Sequence, residues 1–355
     1  MFSPKFTITN KILKDIGKIE ASKEIIENAP LVPAYEAKFR QEAIIRTVHH
    51  GTHIEGNLLD SGEVRDVLDG KNVSAKDRDI QEILNYRNVL KYIDKIPKSK
   101  FQIPKITEND LLKIHKLTVD KILAEDQAGK FRKTQVVVKN SKTKEISFKP
   151  PRASEVPILS KEFFGWLTSG ASESAHPVLA AGITHYVLAY IHPFVDGNGR
   201  TARALATMVL FSRGYDIKKF FSLEEYFDRN AKRYYETLQA VSNQKAESLS
   251  DRNLTVWLEY FCEGLAEELA RVKERVQKLS LDSRLKGRTG QIILSERQVK
   301  LVEYIETYGS ISNRQWRGLL PKFSDDTILR DLKYLQKKRL IKKKGSTKGA
   351  VYVLK

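Results

Sequence analysis

The sequence predicts a mainly α-helical protein with a single β-hairpin and a small C-terminal helix-and-ribbon module, and three observations predict it. Long segments place apolar residues at helical spacing, most clearly Leu179 to Tyr190, Thr201 to Phe211 and Ser250 to Leu279. Before the C-terminal module, the clear strand signal is confined to residues 131–149. Residues 291–355 then read as three capped helices followed by two short β-favouring runs.

Taken in order, residues 1–100 read as an N-terminal helical region, 101–280 as a helical core, 281–290 as a linker and 291–355 as a separate module. Thr107 to Leu123 carries helical patterning. FRKTQVVVKNSKTKEISFK, residues 131–149, has two β-favouring runs around a polar turn at Asn140 to Lys144, stopped by Pro150-Pro151, and predicts a hairpin. Ala153 to Thr168 returns to a helix with Val156, Leu159, Phe163, Phe164 and Trp166 as its apolar set. The next helix, Leu179 to Tyr190, must stop before Pro193, which has no N–H to continue it. The helix from Thr201 ends near Gly214, and the polar, basic stretch Ser283 to Gly290 follows the long amphipathic segment.

In the C-terminal module Ser295 with Gln298 and Ser312 with Gln315 form capping boxes, and Ser324 caps a third helix with Ile328, Leu329, Leu332 and Leu335 as its buried stripe. Lys337, Lys338 and Arg339 suit that helix's C-terminal dipole. Leu340 to Lys342 and Val351 to Leu354, joined through Gly345 to Gly349, complete an order that resembles a winged helix.

Composition narrows the class. A chain of 355 residues with net charge +18 can bury a full core and fits two or three domains. Residues 291–355 hold fifteen Lys and Arg against six Asp and Glu, so half of the excess charge lies in this module. One cysteine, Cys262, excludes an intramolecular disulfide framework, and its aromatic neighbours predict burial. There is no apolar run of about 18 residues and no N-terminal leader pattern. The expectation is a cytoplasmic protein without membrane contact.

The most informative stretch is HPFVDGNGRTAR, residues 192–203. Gly197 and Gly199 are poor helix formers, but they suit a tight turn that exposes backbone N–H groups at the start of a helix. Such a turn binds anions through free amides and the positive end of the helix dipole. Arg200 and Arg203, three apart, share a helix face, and guanidinium forks match phosphate oxygens. Asp196 offers a hard oxygen suited to Mg²⁺ bridging phosphates. His192 can accept a proton from an attacking hydroxyl near neutral pH. A calcium loop is excluded because Arg200 stands where an oxygen ligand belongs, and no GxxxxGK[ST] phosphate loop is present.

These residues resemble the Fic family signature HxFx(D/E)GNGRxxR, with His192, Phe194, Asp196, Gly197, Asn198, Gly199, Arg200 and Arg203 at its fixed positions. The resemblance extends over roughly residues 5–265. It implies a helical core that transfers AMP from ATP to a Ser, Thr or Tyr hydroxyl of a protein. It assigns His192 as general base, Asp196 as Mg²⁺ ligand, and Gly197, Asn198, Gly199, Arg200 and Arg203 as phosphate-binding residues. Phe194 is then the packing anchor of the loop. The resemblance also makes the 131–149 hairpin the flap that receives the protein substrate by strand addition, a mode that recognises backbone.

Self-restrained Fic proteins carry an inhibitory helix of pattern (S/T)xxxE(G/N). In HHGTHIEGN, residues 49–57, Glu55-Gly56 match its end, so the resemblance makes Glu55 the inhibitory glutamate facing Arg203. Gly51 stands where Ser or Thr is expected, which predicts a looser latch. His49 and His53 lie four apart, but this segment supplies no third metal ligand, so they read as solvated or core histidines.

The leading expectation is therefore an adenylyltransferase using ATP and Mg²⁺. Removal of AMP, with Glu55 orienting water, is a close relative of that chemistry. A different class is a DNA-binding regulator with a nucleotide-sensing core, motivated by the charge of 291–355 and by Lys342, Lys343 and Lys344. Against it, Asp325 and Asp326 open the third helix of the module and repel phosphates. Homodimerisation is the competing role for such a module.

Overall fold

The computed structural model describes residues 2–31, 33–96, 104–139, 146–279, 294–321, 323–345 and 350–355. It is mainly helical, as expected. The chain divides into two compact units: Met1–Asn28 with Phe39–Arg275, and Ala29–Lys38 with Val276–Lys355. The expected border near residue 100 falls within 97–103, outside the described residues, and helices on both sides of it belong to the first unit. The linker expected at 281–290 also lies outside them.

The first unit begins with α1 (Asn10–Asn28), α2 (Pro33–His53, entering this unit at Phe39), α3 (Ser61–Leu68) and α4 (Asp77–Ile93). Asp60 starts α3 with a capping box: its Oδ1 accepts the N–H groups of Gly62 and Glu63, while Glu63 returns a bond to the Asp60 N–H. Next, α5 (Glu108–Thr118) ends five residues earlier than its pattern suggests. Tight turns over 119–123, with left-handed backbone at Lys121, replace the expected last turn.

The hairpin is present as β1 (Val138–Lys139) antiparallel to β2 (Ile146–Phe148), pairing Val138 with Phe148 and Lys139 with Ile146. Its turn, including Asn140 to Lys144, is outside the described residues. A 3₁₀ turn at Ala153–Glu155 leads into α6 (Val156–Leu167), followed by the short α7 (Gly170–Ser174).

At the centre, α8 (Pro177–Ile191) packs on α9 (Asn198–Ser212), and α9 also meets α4 and α5. Both central helices are buried along nearly their whole length, as their Ala-, Leu- and Val-rich sequences require. The unit closes with α10 (Leu223–Arg229), α11 (Ala231–Ser242) and α12 (Thr255–Leu279, leaving this unit after Arg275). A stacked aromatic group of His185, Phe227, Tyr234, Trp257 and Phe261 fills the space between them, with Cys262 buried.

The second unit contains α13 (Glu296–Tyr308), β3 (Ile311–Ser312), α14 (Asn313–Leu319), α15 (Asp325–Lys337), β4 (Ile341–Lys344) and β5 (Val351–Leu354). Both capping boxes form, and Ser324 accepts from the Thr327 N–H. The strands make an antiparallel sheet in the order β3-β5-β4. Its first strand, two residues long, is too short to leave a periodic signal. Leu301, Ile305, Trp316, Ile328, Leu332, Leu335, Ile341 and Tyr352 form the core, with Leu329 only partly buried. Among the described residues, no helix is long and apolar enough to cross a membrane.

Candidate active site

The HPFVDGN loop joins the two buried central helices and braces itself. His192 caps α8 in a left-handed conformation, φ 50° and ψ 58°, a strained state for a non-glycine residue. Asn198 closes the loop: its Oδ1 accepts the Phe194 N–H at 2.9 Å and its Nδ2 donates to the Phe194 carbonyl at 2.9 Å. That side chain is thus committed to the loop, and what Asn198 offers a phosphate is its backbone N–H at the first turn of α9. Gly197 caps α9 with φ 75°, and a Cβ there would lie 2.9 Å from Val119 Cγ1. The first-turn N–H groups of α9 have no carbonyl within the helix to bond, which leaves a nest of donors that an anion could occupy.

Phe194 is fully buried, its ring stacked on His115 with centroids 3.6 Å apart and planes at 1°. His115 is a site residue that sequence reasoning missed. Its Nδ1 accepts the Gly129 N–H at 2.9 Å, so Nε2 carries the proton and donates to the Asp196 carbonyl at 3.1 Å. Burial pushes its pKa down to about 4, consistent with a neutral ring. Arg132 was missed as well. It donates from Nε to the His192 carbonyl at 2.8 Å and from its backbone N–H to the Pro193 carbonyl at 2.9 Å. Its other guanidinium nitrogens reach Thr134 and Pro151 carbonyls, so one side chain fixes the motif loop to the base of the hairpin.

Burial also pushes His192 down to about 4, against the raising influence of the Ala189 carbonyl and Glu55. Its Nδ1 faces the Ala189 carbonyl at 3.4 Å, a long contact that favours the tautomer protonated there and leaves Nε2 as the acceptor. The neutral imidazole is therefore the form present at pH 7.

Arg203 is buried, and its Nη2 donates to Glu55 Oε1 at 2.7 Å and to the Gly51 carbonyl at 2.9 Å. Burial alone would lower its pKa; the Glu55 carboxylate, with nearby tyrosines, holds it well above the usual value. Its Nε and Nη1 make no hydrogen bond among the described residues, nor do Nε and Nη1 of Arg200. The structure thus brings Glu55 to Arg203, in the turn following α2. A Cβ added to Gly199 would lie 2.2 Å from Glu55 Oε1, so this carboxylate covers the nest.

Gly51, where a looser latch is expected, packs closely against α4. A Cβ at Gly51 would meet Tyr86 Cε1 at 2.5 Å, so glycine is what lets α2 approach Tyr86. The buried Thr52 hydroxyl donates to the Val48 carbonyl at 2.9 Å. Arg46 pairs with Glu225 and Glu268, and His50 and His53 both bond Asp228, at 2.7 and 2.9 Å. The histidines thus have a carboxylate partner on α10, 175 residues or more away, invisible to local reading.

Asp196, half-exposed, accepts the Gly197 N–H on Oδ1 at 2.6 Å and Arg78 Nη2 on Oδ2 at 2.9 Å. Arg200, buried, lies 3.2 Å from Glu82 and 3.8 Å from Asp196. Among the described residues no three His, Cys, Asp or Glu side chains converge into a metal cage. Mg²⁺ does not require one, since it binds through one or two carboxylates, waters and substrate phosphates. A lone carboxylate at the rim of an amide nest fits that donor set.

The Fic/DOC family profile matches residues 105–210, which span α5, the hairpin, α8 and most of α9. Residues 105–210 form a Fic/DOC family domain. Relatives include proteins named protein adenylyltransferase Fic from Drosophila grimshawi, 36% identical over 185 residues, and from Culex quinquefasciatus, 33% identical over 211 residues. These matches cover 50% and 57% of this chain but only 35% and 39% of the relatives, so the chain spans little more than a third of their length. The fold is that of a Fic family protein from Desulfovibrio desulfuricans, with TM-score 0.70 and 23% identity over 100% of this chain and 98% of that one. A Fic-domain signalling protein from Bacteroides thetaiotaomicron gives 0.61 and 22%, over 80% and 100%.

Proposed function

We propose that this protein transfers AMP from ATP to a Ser, Thr or Tyr hydroxyl of a protein and is held back by Glu55. The observation that carries the reading is the amide nest of α9, flanked by the buried guanidiniums of Arg200 and Arg203, each with an Nε–H that makes no hydrogen bond among the described residues, and by a neutral imidazole. The relatives named adenylyltransferases support it. In the proposed reaction the hydroxyl oxygen bonds to the α-phosphorus, the bond to the bridging oxygen of the β-phosphate breaks, and pyrophosphate leaves with that electron pair. The hydroxyl proton passes to His192 Nε2. Arg200, Arg203 and the N–H groups of Asn198 and Gly199 hold phosphate oxygens, and Asp196 holds Mg²⁺. The metal's contribution is to neutralise phosphate charge and orient the leaving group.

Glu55 restrains the reaction because its carboxylate sits against Gly199 and occupies Arg203, adding negative charge where a phosphate must lie. The hairpin receives the target by strand addition, and its exposed Val137 and Ile146 offer apolar contacts to an extended segment. Incubation with α-labelled ATP and cell extract tests the proposal: a Glu55→Gly variant should label protein, and the absence of any labelled band would sink it.

A second reaction is favoured by the position of Glu55, partly exposed on the nest, where it could orient a water to remove AMP. AMP released from a modified target by the parent chain, and lost in Glu55→Gly, would identify it. For the second unit we propose a winged-helix role at duplex DNA. Arg330, Lys333 and Lys337 line one exposed face of α15, Lys342 to Lys344 are exposed on β4, and Asp325 is neutralised by Arg317. A duplex gel shift should weaken steeply with salt. A shift that is absent or insensitive to salt leaves self-association as the role of that face.

A further inference from the structure

Asp196 presents two oxygens in different states. Oδ1 is taken by the loop's own Gly197 N–H, at 2.6 Å. Oδ2 is covered by Arg78, whose Nη2 lies 2.9 Å away. Arg78 is the second residue of α4, and its side chain is 60% exposed. On its other side Nε reaches Glu82 Oε1 at 3.3 Å, and Glu82 lies 3.2 Å from Arg200, which closes the circuit at 3.8 Å from Asp196 Oδ1. Two guanidiniums and two carboxylates thus alternate around a ring. Three of its members are anchored: Arg200 and Glu82 are buried, with Glu82 also taking a bond from Asn57, and Asp196 is held by its loop. Arg78 alone approaches from the solvent side on a long, flexible stem.

We infer that Arg78 is a resident cation on Asp196 that a divalent metal must displace, so that Arg78 sets how much metal the site demands. The inference rests on the AMP-transfer reading, in which Asp196 Oδ2 is the oxygen open to a metal carried in with the nucleotide. A guanidinium and a metal ion cannot share one carboxylate oxygen at bonding distance. Displacement is easy because an exposed Arg–carboxylate pair contributes only about 0.2–1 kcal/mol. Arg78 therefore tunes metal affinity without blocking it, and while in place it keeps Asp196 from repelling an incoming polyphosphate. The sequence gives no hint of this, because Arg78 stands 118 residues before its partner.

The test uses the full chain carrying Glu55→Gly, so that the nest is open, with Mn²⁺ as probe and a non-hydrolysable ATP analogue present. Free Mn²⁺ is followed by electron paramagnetic resonance. With Arg78→Gln the apparent Kd for Mn²⁺ should fall about two- to fivefold, the range equivalent to losing an exposed competing pair. Arg78→Lys, which keeps a cation within reach of Asp196, should stay near the parent value. An unchanged or weaker Mn²⁺ affinity in Arg78→Gln, with Mn²⁺ still bound by the parent, overturns the role of Arg78 and leaves the AMP-transfer reading intact. Failure of every variant to bind Mn²⁺ with the nucleotide analogue overturns both. Equal melting temperatures of the three chains show that the comparison reads the site and not the fold.

Discussion

The motif loop and the Glu55 turn meet at α9, yet they are built in opposite ways. The loop is braced locally: Asn198 grips Phe194 four residues back, Gly197 turns the chain, and Asp196 accepts the next residue's N–H. The Glu55 turn is framed locally by backbone bonds alone, from the Glu55 and Asn57 N–H groups to the Thr52 carbonyl and from the Gly56 N–H to the His53 carbonyl. It is held from afar, by Arg203, by Tyr86 packed against Gly51, and by Asp228 beneath His50 and His53. A loop that carries its own hydrogen bonds keeps its shape when its neighbours change. A turn fixed by remote partners can move as a unit, which suits a restraint better than a catalytic element.

The largest expected effect is in the loop. His192→Ala should lower AMP transfer about 10²–10⁴-fold, read with α-labelled ATP in the Glu55→Gly background. A loss under twofold would show that the imidazole is part of the scaffold and not of the chemistry. The reverse effect is expected in the turn. Glu55→Gly should tighten ATP binding by about tenfold or more, equivalent to about 1.4 kcal/mol, because it frees both a phosphate partner and the space over Gly199. Calorimetric titration with ATP measures this, and equal affinities would mean that the carboxylate does not compete.

Acid should separate the two regions further. His115 and His192 are pushed by burial to about 4 and His185 to about 3, while an unfolded chain takes up protons near the ordinary histidine value of 6.5. The unfolded state therefore binds more protons than the folded state between pH 6.5 and about 4, and stability must fall as pH drops through that window. Melting temperatures across pH 7 to 4 read the loss. The His115→Gln variant should show a shallower decline, and an equal slope would mean that His115 is already solvated.

The most indirect expected effect concerns the helix behind the turn. Gly51→Ala places a methyl 2.5 Å from the Tyr86 ring and should destabilise the protein by about 1–3 kcal/mol, seen as a lower melting temperature. Because α2 must then move away, nucleotide binding should improve even though Glu55 remains. Lower stability with unchanged ATP affinity would show that Tyr86 yields and the turn does not.

What was legible in the sequence follows the same division. Helix caps at Ser295, Ser312 and Ser324, the stop before Pro193 and the turn at Gly197 are set by neighbours within a few residues, and each appears where expected. The motif also names its arginines and histidine in one run. Arg132, His115, Arg78 and Asp228 were not legible, because their roles arise from partners 60, 81, 118 and 178 positions away. The packing around Gly51 was not legible for a related reason. The glycine's lack of a side chain suggested slack in a helix, whereas an aromatic ring from α4 uses the vacancy.

The bond from Arg203 to the Gly51 carbonyl has a consequence of its own. A long cationic side chain normally loses rotamer freedom when it grips a ligand, and that ordering weakens the grip. Here a main-chain oxygen, which no side-chain substitution can delete, would keep the guanidinium aimed when the Glu55 carboxylate alone is removed. Under the proposed AMP-transfer reaction a chain freed of the Glu55 carboxylate would then meet its triphosphate with this arm already pre-organised, so relief of restraint and readiness for turnover should arrive in the same step.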